Sequence, residues 1–280
     1  FCNRRLNLGG MATLTSVSPS TDEILQFLSR PAQTTHDTAA VSHNTSTVTA
    51  IAVTSLDGRG AVEGTSGQLG NDTDATVFNT LRALADVVFV GTGTIASEGY
   101  GPVEIPEYLE TVRQKLGRSK HVAMSTLSRS LDLDIKSDFF ANAEVNPPII
   151  FTQTEDAFND EEARAAHKNK AKKMESAGAR VVKFPNPSVK AALTWLAEHG
   201  YRDIVVEGGP TMYREAFKKG CVDELFLTLS PMWVGNGPLT FGENDPDEDS
   251  NSTNPQAFEV RDILRSDSHI FLRYSRSFTQ

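Results

Sequence analysis

The amino-acid sequence predicts an α/β fold with a mostly parallel central sheet, antiparallel strands at its C-terminal end and helices on both faces. Three observations predict it. Strand-like and helix-like patterns alternate from residue 47 to residue 219. Two of the strand-like segments, residues 86–91 (DVVFVG) and 203–207 (DIVVE), are near-continuous apolar runs, the mark of strands buried on both faces. Three more strand-like segments close the chain with no helical pattern between them.

Residues 1–46 are expected to form an N-terminal arm and residues 47–280 a single domain. The arm is rich in Ser, Thr and Ala and reads as poorly anchored, with one amphipathic stretch, residues 24–28 (ILQFL), suited to a short helix. Residues 1–10, ahead of Met11, are expected to lie outside the folded unit. The domain opens on residues 47–53 (TVTAIAV), a strand by their β-branched content, and SLDGRG then supplies a turn. A helix is expected over residues 75–85, where Val77, Leu81, Leu84 and Ala85 share one face.

The DVVFVG strand runs into a Gly/Thr turn, and a helix is expected over residues 106–116. Strands follow at 121–125 (HVAMS) and 148–152 (PIIFT), then a charged helix at 160–177 and a strand at 180–184 (RVVKF). Val189, Ala192, Leu193 and Leu196 mark the inner face of the next helix. The DIVVE strand then leads through a glycine pair into a helix over 211–219. Residues 224–230, 258–263 and 270–275 are the closing strands, expected to pair antiparallel at one edge. Between them, residues 243–257 are acidic and rich in Asn and Pro, and read as a surface loop.

Composition narrows the function. With 39% hydrophobic and 22% charged residues the chain has an ordinary globular make-up. Lys and Arg number 27 against 36 Asp and Glu, a net charge of -9, so a polyanion would be repelled and no nucleic-acid partner is expected. Cys2 and Cys221 cannot build a disulfide framework, and the six histidines show neither HxxxH nor HxH spacing, so no metal site is expected. No apolar run approaches the ~20 residues that span a bilayer. A cytoplasmic location is the resulting expectation.

Two segments share one physical design, a buried strand running into glycines and then a helix. They are Gly91-Thr92-Gly93-Thr94 and Glu207-Gly208-Gly209-Pro210-Thr211. Glycine lets a ligand approach the backbone, and a helix N-terminus directs unpaired N–H groups and the positive end of its dipole at an anion. Neither segment is a GxGxxG or GxxxxGK[ST] motif. Ser125-Thr126-Leu127-Ser128-Arg129, read as following the HVAMS strand, offers hydroxyls and a cation where an unphosphorylated ribose would call for a carboxylate. That favours a 2′-phosphate, hence NADPH over NADH. Asp57 fits either a heterocycle's N–H groups or a turn with Gly58, and Asp74 fits either a ligand or the first turn of a helix.

The run Ser55-Leu56-Asp57-Gly58, the stretch LRALADVVFVGTGTIASEGYGP, the segment VEGGPTMYREAF and the following VDELFLTLSPMWVGNGP together resemble the RibD C-terminal family. The resemblance extends over residues 47–278. It implies a three-layer, dihydrofolate-reductase-like fold and an NADPH-dependent reductase of riboflavin biosynthesis acting on a ribosylaminopyrimidine, of the 5-amino-6-(5-phosphoribosylamino)uracil reductase type. By position, Gly91, Thr92, Gly93 and Thr94 are implied over one cofactor phosphate. Glu207, Gly208, Gly209, Pro210 and Thr211 fall in the loop under the pyrophosphate and nicotinamide ribose. Ser125 and Thr126, with Arg129, fall at the 2′-phosphate, and Asp74 and Asp57 stand as substrate-orienting carboxylates. Pairing as a homodimer through sheet edges is also implied. The helix after Asp74 departs from the family pattern, because Arg82 is its only cation where Arg and His are usual. A dihydrofolate or pterin reductase and a non-catalytic NADPH-binding protein stay open as alternatives.

Overall fold

The computed structural model describes residues 18–29, 46–243 and 255–277. The expected acidic loop lies mostly outside the described residues, as does most of the expected arm.

Among the described residues nine strands form one sheet. In chain order they are β1 (Thr47–Thr54), β2 (Val87–Phe89), β3 (Ala123–Leu127), β4 (Ile149–Gln153), β5 (Arg180–Phe184), β6 (Asp203–Val206), β7 (Glu224–Leu229), β8 (Phe258–Ser266) and β9 (His269–Arg276). Their spatial order is β5-β4-β3-β2-β6-β1-β7-β9-β8. Strands β1 to β7 are parallel throughout, while β9 is antiparallel to both β7 and β8. Strand β6 returns from the far edge to insert between β2 and β1, so the winding direction reverses beside it. A crevice outside the carboxyl ends of the strands belongs at such a reversal.

Among the described residues seven α-helices cover the sheet: α1 (Thr21–Leu28), α2 (Asp72–Leu84), α3 (Thr92–Glu98), α4 (Glu107–Lys115), α5 (Glu161–Ser176), α6 (Val189–Glu198) and α7 (Pro210–Lys218). Strand alternation sorts the core into two layers. Val48, Ala50 and Ala52 of β1 point toward Leu193 and Leu196 of α6 and Ala216 of α7. Ile51 points the other way, into a cluster with Val77 and Leu81 of α2, Ile95 of α3 and Met174 of α5. The central strands β2 and β6 contribute to both layers, which is why they read as unbroken apolar runs. No described helix is long and apolar enough to cross a membrane.

Helix α1 shows that part of the expected arm is firmly held. Its capping box joins Ser20 and Glu23, and Ile24, Phe27 and Leu28 are buried. Phe27 meets Phe226 of β7 edge-to-face, with centroids 5.6 Å apart. Arg273 of β9 donates to the carbonyls of Phe27 and Ser29. The expectation of weak anchoring therefore fails over this helix. The apolar i, i+3, i+4 spacing that suggested a short helix also supplied its docking face.

Candidate active site

A cavity of about 960 Å³ opens over the carboxyl ends of β1, β2, β3 and β6. Its floor is made by the two glycine turns, because β2 and β6 are neighbours and end in register. Gly91 N–H donates to Gly208 O at 2.5 Å. A Cβ on Gly91 would sit 2.6 Å from Gly209 N, so only glycine allows this approach. Gly208 has φ +83°, and a Cβ there would meet the Tyr213 ring at 2.6 Å. The Gly208–Gly209 peptide is cis.

Helix α3 starts at Gly91 and helix α7 at Gly209, both without a side-chain cap. Helices α1, α2, α5 and α6 are each capped by a side chain. The uncapped N–H groups of α3 and α7 border the cavity, along with Thr92, Gly93, Thr94, Pro210 and Thr211. The expected cofactor residues of both turns are thus gathered around one space, and Gly208 lies directly behind Gly209.

The opposite wall comes from α2. Its N-cap is Asn71, whose side chain accepts from Asp74 N–H at 2.9 Å. Asp74, Phe78 and Arg82 recur at i, i+4 and i+8, beside the Val77 and Leu81 stripe that faces the core, and all three line the cavity. Asp74 packs against Gly70 and accepts from the Thr228 hydroxyl. Burial raises its carboxyl above the ordinary range despite that bond and the nearby His269. The β8–β9 hairpin braces this corner. The Asn71 amide faces His269 Nδ1 at 3.3 Å, His269 Nε2 lies 3.0 Å from Leu69 O, and Thr73 Oγ1 donates to Ser266 Oγ at 2.8 Å.

Glu207 sits at the base of the cavity, fully buried. Arg82 Nε lies 3.0 Å from its Oε1, and the Tyr100 hydroxyl stands beside it. The Arg82 guanidinium lies between the Phe78 and Tyr100 rings, 5.1 and 5.0 Å from their centroids. Burial outweighs both partners and raises the Glu207 carboxyl, while burial and the Glu207 charge raise the Tyr100 hydroxyl. Tyr213 donates to Ile51 O beneath the same floor. Phe78 and Tyr100 carried no signal of their own in the sequence. The Asp74-Phe78-Arg82 stripe was readable from helical spacing.

Besides Gly208, three expected site residues are not in the cavity. Strand β3 runs on to Leu127, two residues beyond the expected end, so Ser125 and Thr126 are inside the sheet and fully buried. Ser125 Oγ donates to Val88 O at 2.9 Å. The residues that emerge at the cavity are Ser128, Arg129 and Ser130. Arg129 is half-exposed, donates to Pro187 O at 3.1 Å and stands 3.9 Å from Glu215. Asp57 is the third. It accepts from Ser55 Oγ at 2.6 Å, Val234 N–H at 3.1 Å and Gly235 N–H at 2.8 Å. The hydrogen bond from Ser55, with those from the two backbone groups, holds its carboxyl down to about 2. Asp57 is the pin of a loop, and its oxygens are already committed.

Among the described residues no group of three or more His, Cys, Asp or Glu side chains could hold a metal ion.

The sequence matches the RibD C-terminal domain family over residues 46–266. A riboflavin biosynthesis protein RibD from Aquifex aeolicus is 25% identical over 189 residues, covering 67% of this chain and 47% of that protein. The chain thus spans about half the length of that relative. A crystal structure of a pyrimidine reductase-like protein from Corynebacterium diphtheriae superposes with a TM-score of 0.73 at 30% identity, covering 85% of this chain and 94% of that one. A deaminase/5-amino-6-(5-phosphoribosylamino)uracil reductase from Thermotoga maritima superposes with a TM-score of 0.59 at 20% identity, covering 85% and 58%.

Proposed function

The chain belongs to the RibD C-terminal domain family, and on that premise we propose that it is an NADPH-dependent reductase of a ribosylaminopyrimidine, of the riboflavin-biosynthesis type. The observation that carries the reading is the contact between the two glycine turns, where Gly91 meets the backbone of Gly209 with no room for a side chain at the foot of a cavity of about 960 Å³. Two uncapped helix starts meeting there suit a pyrophosphate. Thr92, Thr94 and Thr211 add hydroxyls, and Ser128, Arg129 and Ser130 offer the donors that a 2′-phosphate needs.

When bound, NADPH supplies a hydride for a C=N or ring-opened sugar carbon. The protein's part is to bind, orient and exclude water. Asp74 accepts N–H bonds from the heterocycle, and Phe78 and Tyr100 give it an apolar wall. A carboxylate in that place also suits a reduced pterin, so pterin reduction is the second reading. A second copy of the chain is the proposed partner. It would meet the sheet edge at β8, where Val260 is 51% and Ile263 60% exposed. A cytoplasmic setting accompanies this reading.

Titration with NADPH and NADH, then NADPH oxidation at 340 nm with an aminopyrimidine and a pterin side by side, tests it. Preference for NADPH with turnover of the aminopyrimidine is the expected result. No binding of either nucleotide would remove the reductase reading. Asp74→Asn is expected to raise KM for the heterocycle and leave NADPH affinity unchanged.

A further inference from the structure

The half of the cavity facing α2 has an unusual charge pattern. Its ionisable acids are Asp74, Glu98 and Glu207, and among the described residues its only cation is Arg82. Arg82 is not available as a free positive charge. Glu207 stands 3.0 Å from its Nε, and the guanidinium lies between Phe78 and Tyr100. Its remaining N–H groups suit neutral acceptors such as ring carbonyls. Glu98 holds the mouth of this half, accepting from Ser66 N–H at 2.9 Å and from Ser66 Oγ at 3.2 Å. The other cation on the cavity wall, Arg129, lies beyond the glycine turns, beside Glu215 and the end of β3.

A phosphate dianion placed on the α2 side would face the Asp74 and Glu98 carboxyl groups and a guanidinium whose charge is already matched. Repulsion from the part-buried Asp74 is weakly screened there, while Glu98 stands exposed at the mouth. We infer that the substrate of this protein is a nucleoside-like compound carrying no phosphate, a sugar-substituted aminopyrimidine whose sugar ends in a free hydroxyl. Hydroxyl groups are matched here, since carboxylates accept from them without a charge penalty. The inference rests on the reductase reading above and specifies its substrate class.

The test compares 5-amino-6-ribosylaminouracil with its 5′-phosphate, by calorimetric titration into the NADP⁺-loaded protein and by NADPH oxidation. The free nucleoside form is expected to bind at least tenfold more tightly and to show at least a tenfold higher kcat/KM. If the phosphorylated form binds and turns over as well or better, the substrate inference fails while the reductase reading stands. If neither form binds or is reduced, the aminopyrimidine reading fails and the inference falls with it. Glu207→Gln, checked for folding by thermal melting, frees the Arg82 charge at constant shape. The binding ratio should then move at least threefold toward the phosphorylated form. A ratio that stays fixed in a folded variant would overturn the pair as the source of the selection.

Discussion

Arg82 Nε stands 3.0 Å from Glu207 Oε1, an ion pair that ties helix α2 to the end of strand β6 across the floor of the cavity. Burial holds the Glu207 carboxyl above its usual range. Such a group favours the fold most below its unfolded pKa of about 4.3, and that stability is lost as pH rises through the folded value. Removing Arg82 deletes the charge that opposes burial, so the folded value climbs further. Arg82→Ala is therefore expected to cost about 3–5 kcal/mol at pH 8 and distinctly less at pH 5. Urea unfolding at the two pH values measures it, and equal losses would refute the role given to the charge.

The glycine contact gives a paired prediction. Gly91→Ala puts a methyl 2.6 Å from Gly209 N, a backbone atom that cannot swing aside, so the turns must separate. NADPH affinity should fall at least tenfold, about 1.4 kcal/mol or more. A methyl added at Gly93, two residues on, would meet no protein atom within 4 Å, so Gly93→Ala should retain the fold, as thermal melting would show. Melting of both variants, with calorimetric titration of Gly91→Ala, separates crowding from a general intolerance of the loop.

Cofactor choice is expected to follow Arg129 and to ignore Ser125. Arg129→Ala should reduce the preference for NADPH over NADH about tenfold, the effect of one charge-assisted phosphate contact of about 1.4 kcal/mol. Ser125→Ala should leave that preference unchanged and lower stability by about 1 kcal/mol, through loss of the buried bond to Val88 O. A change of nucleotide preference in Ser125→Ala would contradict its place inside the sheet.

Asp57 should behave as a loop pin with a pH signature. Its carboxyl is held down to about 2 by the Ser55 hydroxyl and two backbone N–H groups. The stability it gives is present above its unfolded pKa of about 3.9 and fades as pH falls toward 2. Asp57→Asn should therefore melt below the native protein at pH 7, and the gap should narrow at pH 3. Its KM for the heterocycle should not change.

The succession of strands and helices, the parallel run from β1 to β7 and the two glycine turns were legible because each depends on local pattern. Buried strands read as apolar runs, and a tight strand-to-helix turn needs glycine wherever the backbones nearly touch. The misplaced residues of β3 share one cause. Alternation alone could not say that the strand continues through Leu127, and a two-residue error in its end moved the hydroxyls from the cavity into the sheet. Asp57 was ambiguous for a different reason, because its partners Val234 and Gly235 lie 177 and 178 residues away. The pairing of Arg82 with Glu207 is equally non-local, and a lone cation in a helix does not announce that its counter-charge ends another strand.

The brace at the Asp74 corner has a temporal meaning. His269 closes onto Asn71 across 198 residues and Ser266 onto Thr73 across 193. A chain emerging from the ribosome can bring its two glycine turns together once β6 and α7 are out, but the Asp74 corner must wait for the hairpin that follows β7. Assembly of the two halves is therefore expected to be ordered, with the glycine floor first and the wall opposite it last.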